Sequence, residues 1–167
     1  MQERRGIMSA EKLVGTLKKI LILHQNLLKL SERKTDILKK GDIDALNEQM
    51  KEEQKYILAI KQMENERMTI VDKWLGPRVQ EKTLSKCIEV AEDPIRSELI
   101  ELQEDLLKVT QELKAVNELN QQLTHQSLQY VNMSLDMLLP QEQTATYGNP
   151  AGTKEKKQTR SMFDSKA

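Results

Sequence analysis

The amino-acid sequence predicts an all-α protein: three long helices in an antiparallel, coiled-coil-like bundle, with a short connector helix and a disordered C-terminal tail. Three observations carry this reading. Aromatic residues make up 3% of the 167 residues and charged residues 31%, so a bulky compact core lacks material while long helices are well supplied. Apolar residues recur at spacings of three and four over long stretches, which is the period of one helix face. The six Gly and four Pro sit mostly at a few junctions, leaving good helix formers uninterrupted between them.

Residues 1–8 are polar and read as a frayed end, with Ser9 as the N-cap of a helix over about 9–40. Leu13, Leu17, Ile20, Leu27, Leu28, Ile37 and Leu38 form its apolar stripe. Gly41 supplies a C-terminal stop, Asp42 an N-cap, and Asp44 a negative charge in the next first turn, so Gly41-Asp42 reads as a tight αα-hairpin. The second helix, about 43–75, carries a seam of Ile43, Leu46, Met50, Glu53, Ile57 and Ile60, then Arg67, Val71 and Trp74. Two of those positions are charged, which weakens packing there, and Met63 and Ile70 widen the stripe. Gly76-Pro77 ends the helix. The connector, 77–93, holds a short amphipathic patch of Leu84, Cys87, Ile88 and Ala91 behind a possible cap at Thr83. Asp93-Pro94 is a start signal for the third helix, 94–139, whose seam is Ile95, Leu99, Leu102, Leu106, Val109, Leu113 and Val116. The helical domain therefore spans 9–139, and residues 140–167, without periodicity, read as a flexible tail.

Past Val116 the third helix changes character. The same heptad register continues through Asn120, Leu123, Ser127, Tyr130, Ser134 and Met137, so its former "a" positions become Asn or Ser. The stronger apolar stripe is now Leu128, Val131, Leu135 and Leu138. Counting back by fours from Leu128 gives Thr124, Asn120 and Val116, a four-residue stutter. At 1.5 Å per residue the second helix spans roughly 50 Å and the third roughly 68 Å, so the third should overhang the hairpin near residues 128–139. An apolar stripe without an intramolecular partner marks an interaction site, and helix-on-helix docking is the expected mode. Self-association through the stripe, as a homodimer, and burial of the stripe under helix one are the alternatives.

Other classes of function find little support. The 26 basic residues balance the 26 acidic ones, whereas nucleic-acid binding calls for a basic excess, so no nucleic-acid partner is expected. The one basic cluster, Lys154, Lys156, Lys157 and Arg160, encloses Glu155 and reads as a solvated tail. The longest apolar run, Ile20-Leu21-Ile22-Leu23, is far below the ~20 residues of a membrane span, so no membrane insertion is expected. Cys87 stands alone, which leaves no intrachain disulfide and no thiolate cage; with no signal peptide in view, a reducing cytoplasm is the expected compartment. A di-iron bundle needs Glu-x-x-His pairs, but His24 follows Leu21 and His125 follows Gln122 at that spacing. No phosphate-cradling Gly loop or nucleophile motif is present, so neither cofactor, metal nor enzymatic activity is expected. Met50, Met63, Met68, Met133 and Met137 suit either core gaps or surfaces that adapt to a partner.

Taken together, these elements resemble the FlgN family of bacterial flagellar export chaperones. The resemblance covers most of 9–139. It rests on the long helix, the Lys39-to-Asp42 hairpin, a second long helix with Glu64 to Arg67 near its end, and a C-terminal helix reading Asn117-Glu118-Leu119-Asn120-Gln121-Gln122-Leu123, then Leu128-Gln129-Tyr130-Val131. The ending from Arg160 to Ala167 is similar to that of Gram-positive members. The resemblance implies a chaperone that binds the C-terminal helical regions of hook-filament junction proteins, prevents premature assembly and delivers them to the type III export gate. It implies that the client is held by about Asn117 to Leu139, and that Tyr130 matches a Tyr that docks to an export gate component. The expected partner-binding residues are then Asn117, Asn120, Leu123, Ser127, Leu128, Tyr130, Val131, Ser134, Leu135 and Leu138. The rival class is a homo-oligomeric coiled-coil scaffold, against which the breaks at Gly41 and Gly76-Pro77 and the stutter both count.

Overall fold

The structure, a computed structural model, describes the backbone of residues 2–138 and the side chains of 6–138; Leu139 and the expected tail at 140–167 lie outside the described residues. Four helices follow in order: α1 (Gln2–Lys40), α2 (Ile43–Leu75), α3 (Leu84–Val90) and α4 (Ile95–Leu138). Their ends obey local rules. Gly41 takes the left-handed φ of 69° that a side chain would resist, and Asp42 caps α2 by accepting from the Ala45 N–H at 2.9 Å. Gly76, with φ 74°, closes α2 by donating its N–H to the Asp72 carbonyl. Thr83 caps α3 through the Lys86 N–H at 3.2 Å, and Asp93 accepts from the Ser97 N–H at 3.3 Å at the start of α4.

One expected boundary is corrected. Ser9 is not a cap, because α1 already runs through it from Gln2. Tertiary packing overrides the local signal: Ala10 is buried, and Gly6 lies against α2, where an added Cβ would sit 3.9 Å from Trp74 Nε1.

The three long helices alternate in direction, and α1 is the central one. It packs against α2 through the hairpin and against α4 along its other flank, whereas α2 and α4 make no close backbone approach to each other. The up-down-up order makes α1 and α4 parallel, as two pairings show: Lys18 with Glu98 near one end, and Thr35 with Asn120 near the other.

The apolar core fills the end where α1 starts. Leu13, Leu17 and Ile20 meet Ile70 and Val71 of α2 and Leu99 and Leu102 of α4. The α3 turn inserts Cys87 and Ala91 into the same cluster, and Arg96 of α4 ties α3 down by donating to the Ile88 and Glu89 carbonyls, both at 3.0 Å. Burial pushes the Cys87 thiol up to about 11, with Arg67 opposing, so it is a packed apolar group and not a nucleophile.

The second expected feature that changes is the α2 seam. Ile43, Met50 and Ile57 are exposed, while Gln49 and Glu53 are the residues buried in that half of the helix. The reason is that α4 makes no close backbone approach to α2. Among the described helices α1 is the one long helix packed closely along α2, so α2 covers one flank, and the heptad positions that would face a second close neighbour remain open.

Candidate partner-binding surface

Beyond the apolar core, the contact between α1 and its neighbours becomes polar. Asn120 of α4 accepts from Thr35 Oγ1 at 2.7 Å and donates through Nδ2 to the Ser31 carbonyl at 2.8 Å. On the α2 side, Gln49 donates to the Leu30 carbonyl and Lys34 Nζ donates to Glu53 Oε2 at 2.6 Å. The other carboxylate oxygen, Glu53 Oε1, is buried without a hydrogen-bond partner. Signals for this region were present in the sequence: Ser31 and Thr35 follow Leu27 at intervals of four, where an apolar stripe would otherwise continue.

The seam of α4 holds to α1 through Leu99, Leu102 and Val109, all buried, and through Asn120, which is only 3% exposed. Leu123 is half-buried, and from there α4 leaves its neighbours. Leu128 is 58% exposed and Leu138 80%, with Val131 and Leu135 open between them on the same stripe. This last stretch is an arm: α1 ends at Lys40, near the level of the mid-120s of α4, and the helix runs on to Leu138.

Ten residues were expected to contact a partner, and they divide into three groups. Leu128, Val131, Leu135 and Leu138 share one face of the arm, and exposed Asn117 continues that face toward the bundle. Tyr130, also exposed, is turned about 160° from Leu128 at 3.6 residues per turn, with half-buried Leu123 and Ser134 and exposed Ser127 nearer its side. Asn120 stands apart, since both ends of its amide are engaged inside the bundle and it is only 3% exposed. It stays on the seam because α1 still lies alongside at Ser31 and Thr35.

Sequence reasoning missed a groove. Because the backbones of α2 and α4 do not approach closely, a cleft of about 530 Å³ opens between them, floored by Leu27, Ser31 and Lys34 of α1. Glu53 and Ile57 form its α2 wall; Asn117, Gln121, Thr124 and Leu128 form its α4 wall. Ile57 is 47% exposed there, and Ile43 and Met50 lie on the same flank of α2 at intervals of seven. The clue in the sequence was the set Ile43, Met50 and Ile57 itself, an apolar series more than one neighbour needs.

Among the described residues no three His, Cys, Asp or Glu side chains are placed to hold a metal ion, and no helix is long and apolar enough to cross a membrane. His24 Nδ1 lies 2.8 Å from the Ile20 carbonyl of its own helix, and His125 Nε2 lies 3.1 Å from Gln129 Nε2.

The class of protein this fold defines is an all-α helical bundle whose last long helix carries an open apolar stripe. The comparisons give the family: the FlgN protein family matches residues 8–155, and the chain belongs to it. Membership implies a flagellar export chaperone role, in a family of chaperones and not of enzymes, and suggests hook-filament junction proteins as partners. The chain is also 40% identical over 161 residues to a Bacillus subtilis (strain 168) protein named "Uncharacterized protein YvyG", covering 96% of this chain and 100% of that one. No solved structure matches.

Proposed function

We propose that this protein is a cytoplasmic export chaperone that holds the C-terminal helical regions of hook-filament junction proteins on the α4 arm. Bound there, the client is kept from premature assembly until it reaches the type III export gate. The observation that carries this reading is the stripe of Leu128, Val131, Leu135 and Leu138, apolar, aligned and open. Junction-protein helices that pair in the assembled flagellum expose apolar seams beforehand, and an unpaired seam of the same period covers them by helix-on-helix docking. Tyr130 faces away from that stripe, so one arm offers separate surfaces to the client and to an export gate component.

Magnitudes favour reversible binding. Covering an apolar side chain is worth at most ~1.5–3 kcal/mol, while association costs ~4–15 kcal/mol in lost freedom. Four such side chains contribute ~6–12 kcal/mol, of the same order as that cost, so binding through them is weak enough for release at the gate.

Leu128→Asp and Leu135→Asp are each expected to abolish client binding with helicity unchanged by circular dichroism. Unchanged affinity of both variants for a junction-protein C-terminal peptide in a direct titration would sink the assignment. Tyr130→Ala should impair gate docking more than client binding, and equal losses in the two assays would remove the division of faces. The competing scaffold reading expects the purified protein to sediment as an elongated stable dimer, whereas a monomer that captures the client supports the chaperone.

A further inference from the structure

We infer that the groove between α2 and α4 receives a helix of the same client, so that the client runs from the arm down onto α1 as a fourth helix. This rests on the chaperone reading and extends its site to a surface formed by α1, α2 and α4. Three observations lead to it.

The first is continuity. On α4 the spacing Asn117, Gln121, Thr124, Leu128, Val131, Leu135 is an unbroken alternation of four and three, so the arm stripe and the groove wall are one face of one helix. The stutter turns the apolar stripe off the α1-facing seam and toward the groove.

The second is the opposite wall. Ile57, with Met50 and Ile43 spaced seven apart toward the hairpin, leaves α2 with a row of open apolar positions on the groove flank. A heptad row of this kind accommodates the knobs of a packed helix. The solvent-facing side of α2 at Leu58 lies about 100° further round and does not belong to the row.

The third observation specifies the occupant. The groove wall is mixed: Ile57 and Leu128 are apolar and open, while Asn117, Gln121 and Thr124 of α4 present exposed amide and hydroxyl groups between them. A purely apolar helix laid over the groove would cover those polar groups without a partner. The fitting client helix is therefore amphipathic, apolar toward Ile57 and Leu128, and carries hydrogen-bonding side chains toward Asn117, Gln121 and Thr124.

The test compares full-length Ile57→Asp, Leu58→Asp and Leu135→Asp proteins, each checked by circular dichroism and urea midpoint, in titrations with a purified hook-filament junction protein. Ile57 is exposed in the free protein, so its replacement leaves the fold intact. The expected result is a loss of roughly tenfold or more for Ile57→Asp, a change within about twofold for Leu58→Asp, and abolition for Leu135→Asp. A benzophenone side chain at position 57, but not at 58, should cross-link to the client. Loss at Leu135 alone, with wild-type affinity for Ile57→Asp and no cross-link, overturns the groove while leaving the arm reading in place. Wild-type affinity in all three variants overturns the chaperone site itself. If sedimentation shows that Ile57→Asp dissociates a dimer while client affinity holds, the groove belongs to a second copy and the inference is wrong.

Discussion

Along α1 the molecule changes chemistry over about 25 Å. At one end Leu13, Leu17 and Ile20 are sealed by three other helices, with α3 pressing Cys87 into the cluster. At the other end Ser31 and Thr35 face Asn120, and Gln49, Lys34 and Glu53 cluster on the opposite flank, with a groove left open between α2 and α4. Burial of apolar area is strong and indifferent to direction, while polar contacts contribute about 1 kcal/mol each and fix register. The difference separates two tasks. The first end keeps the fold together; the second holds the helices in register without closing the surface that a partner needs.

The contrast can be broken by stability measurements, beginning with the largest effect. Leu17→Ala removes a fully buried side chain from the apolar end and should cost about 2–5 kcal/mol in urea unfolding. Ile57→Ala, at the open groove, should cost less than about 0.5 kcal/mol. Comparable losses at the two sites would mean that the groove is closed in solution.

Next, the Lys34–Glu53 pair can be replaced outright. Its side chains are 19% and 11% exposed, so both charges are largely desolvated, and one carboxylate oxygen is unsatisfied. The double variant Lys34→Met with Glu53→Leu is expected to raise stability by about 1–4 kcal/mol. A loss would show that the pair contributes more than its desolvation costs.

A pH experiment isolates the apolar end. The Cys87 thiol is raised from 9.0 to about 11 by burial. Unfolded chain releases this proton near pH 9, whereas folded protein retains it to about 11. The stabilising contribution is therefore intact below pH 9 and is lost as pH rises through 9 to 11, about 3 kcal/mol in total. Lysines titrate in the same range, so the measurement is the difference in urea midpoint between wild type and Cys87→Ala from pH 8 to 11. Parallel pH profiles would mean that the thiol already meets solvent.

What could be read in the sequence followed the same divide. Gly41, Asp42, Gly76 and Thr83 act through backbone geometry and local hydrogen bonds, so their roles were legible one residue at a time. The α4 seam was legible because one neighbour, α1, covers it from Leu99 to Asn120. The exposed flank of α2 was not, because an apolar heptad position states that something should cover it and not whether the covering helix belongs to the same chain. Ser9 shows the reverse case, a valid local cap signal overridden where α1 continues past it and brings Gly6 against Trp74. The polar end left only a faint trace in Ser31 and Thr35, since its partners lie 85 residues away at Asn120.

The smallest effect sharpens the comparison most. Asn120→Ala removes the acceptor for Thr35 Oγ1 and the donor to the Ser31 carbonyl, yet the Thr35 hydroxyl keeps a second acceptor in that carbonyl at 3.3 Å. No hydroxyl is stranded, so the expected loss is only about 1 kcal/mol. Its location should be visible even so. Amide hydrogen exchange is expected to quicken across residues 116–124 of α4, where that side chain is the last fully buried link to α1, and to stay unchanged at Leu13, Leu17 and Ile20. If protection fell equally at both ends, the bundle would open as one cooperative unit, and the arm would have no means of loosening while the apolar end stays shut.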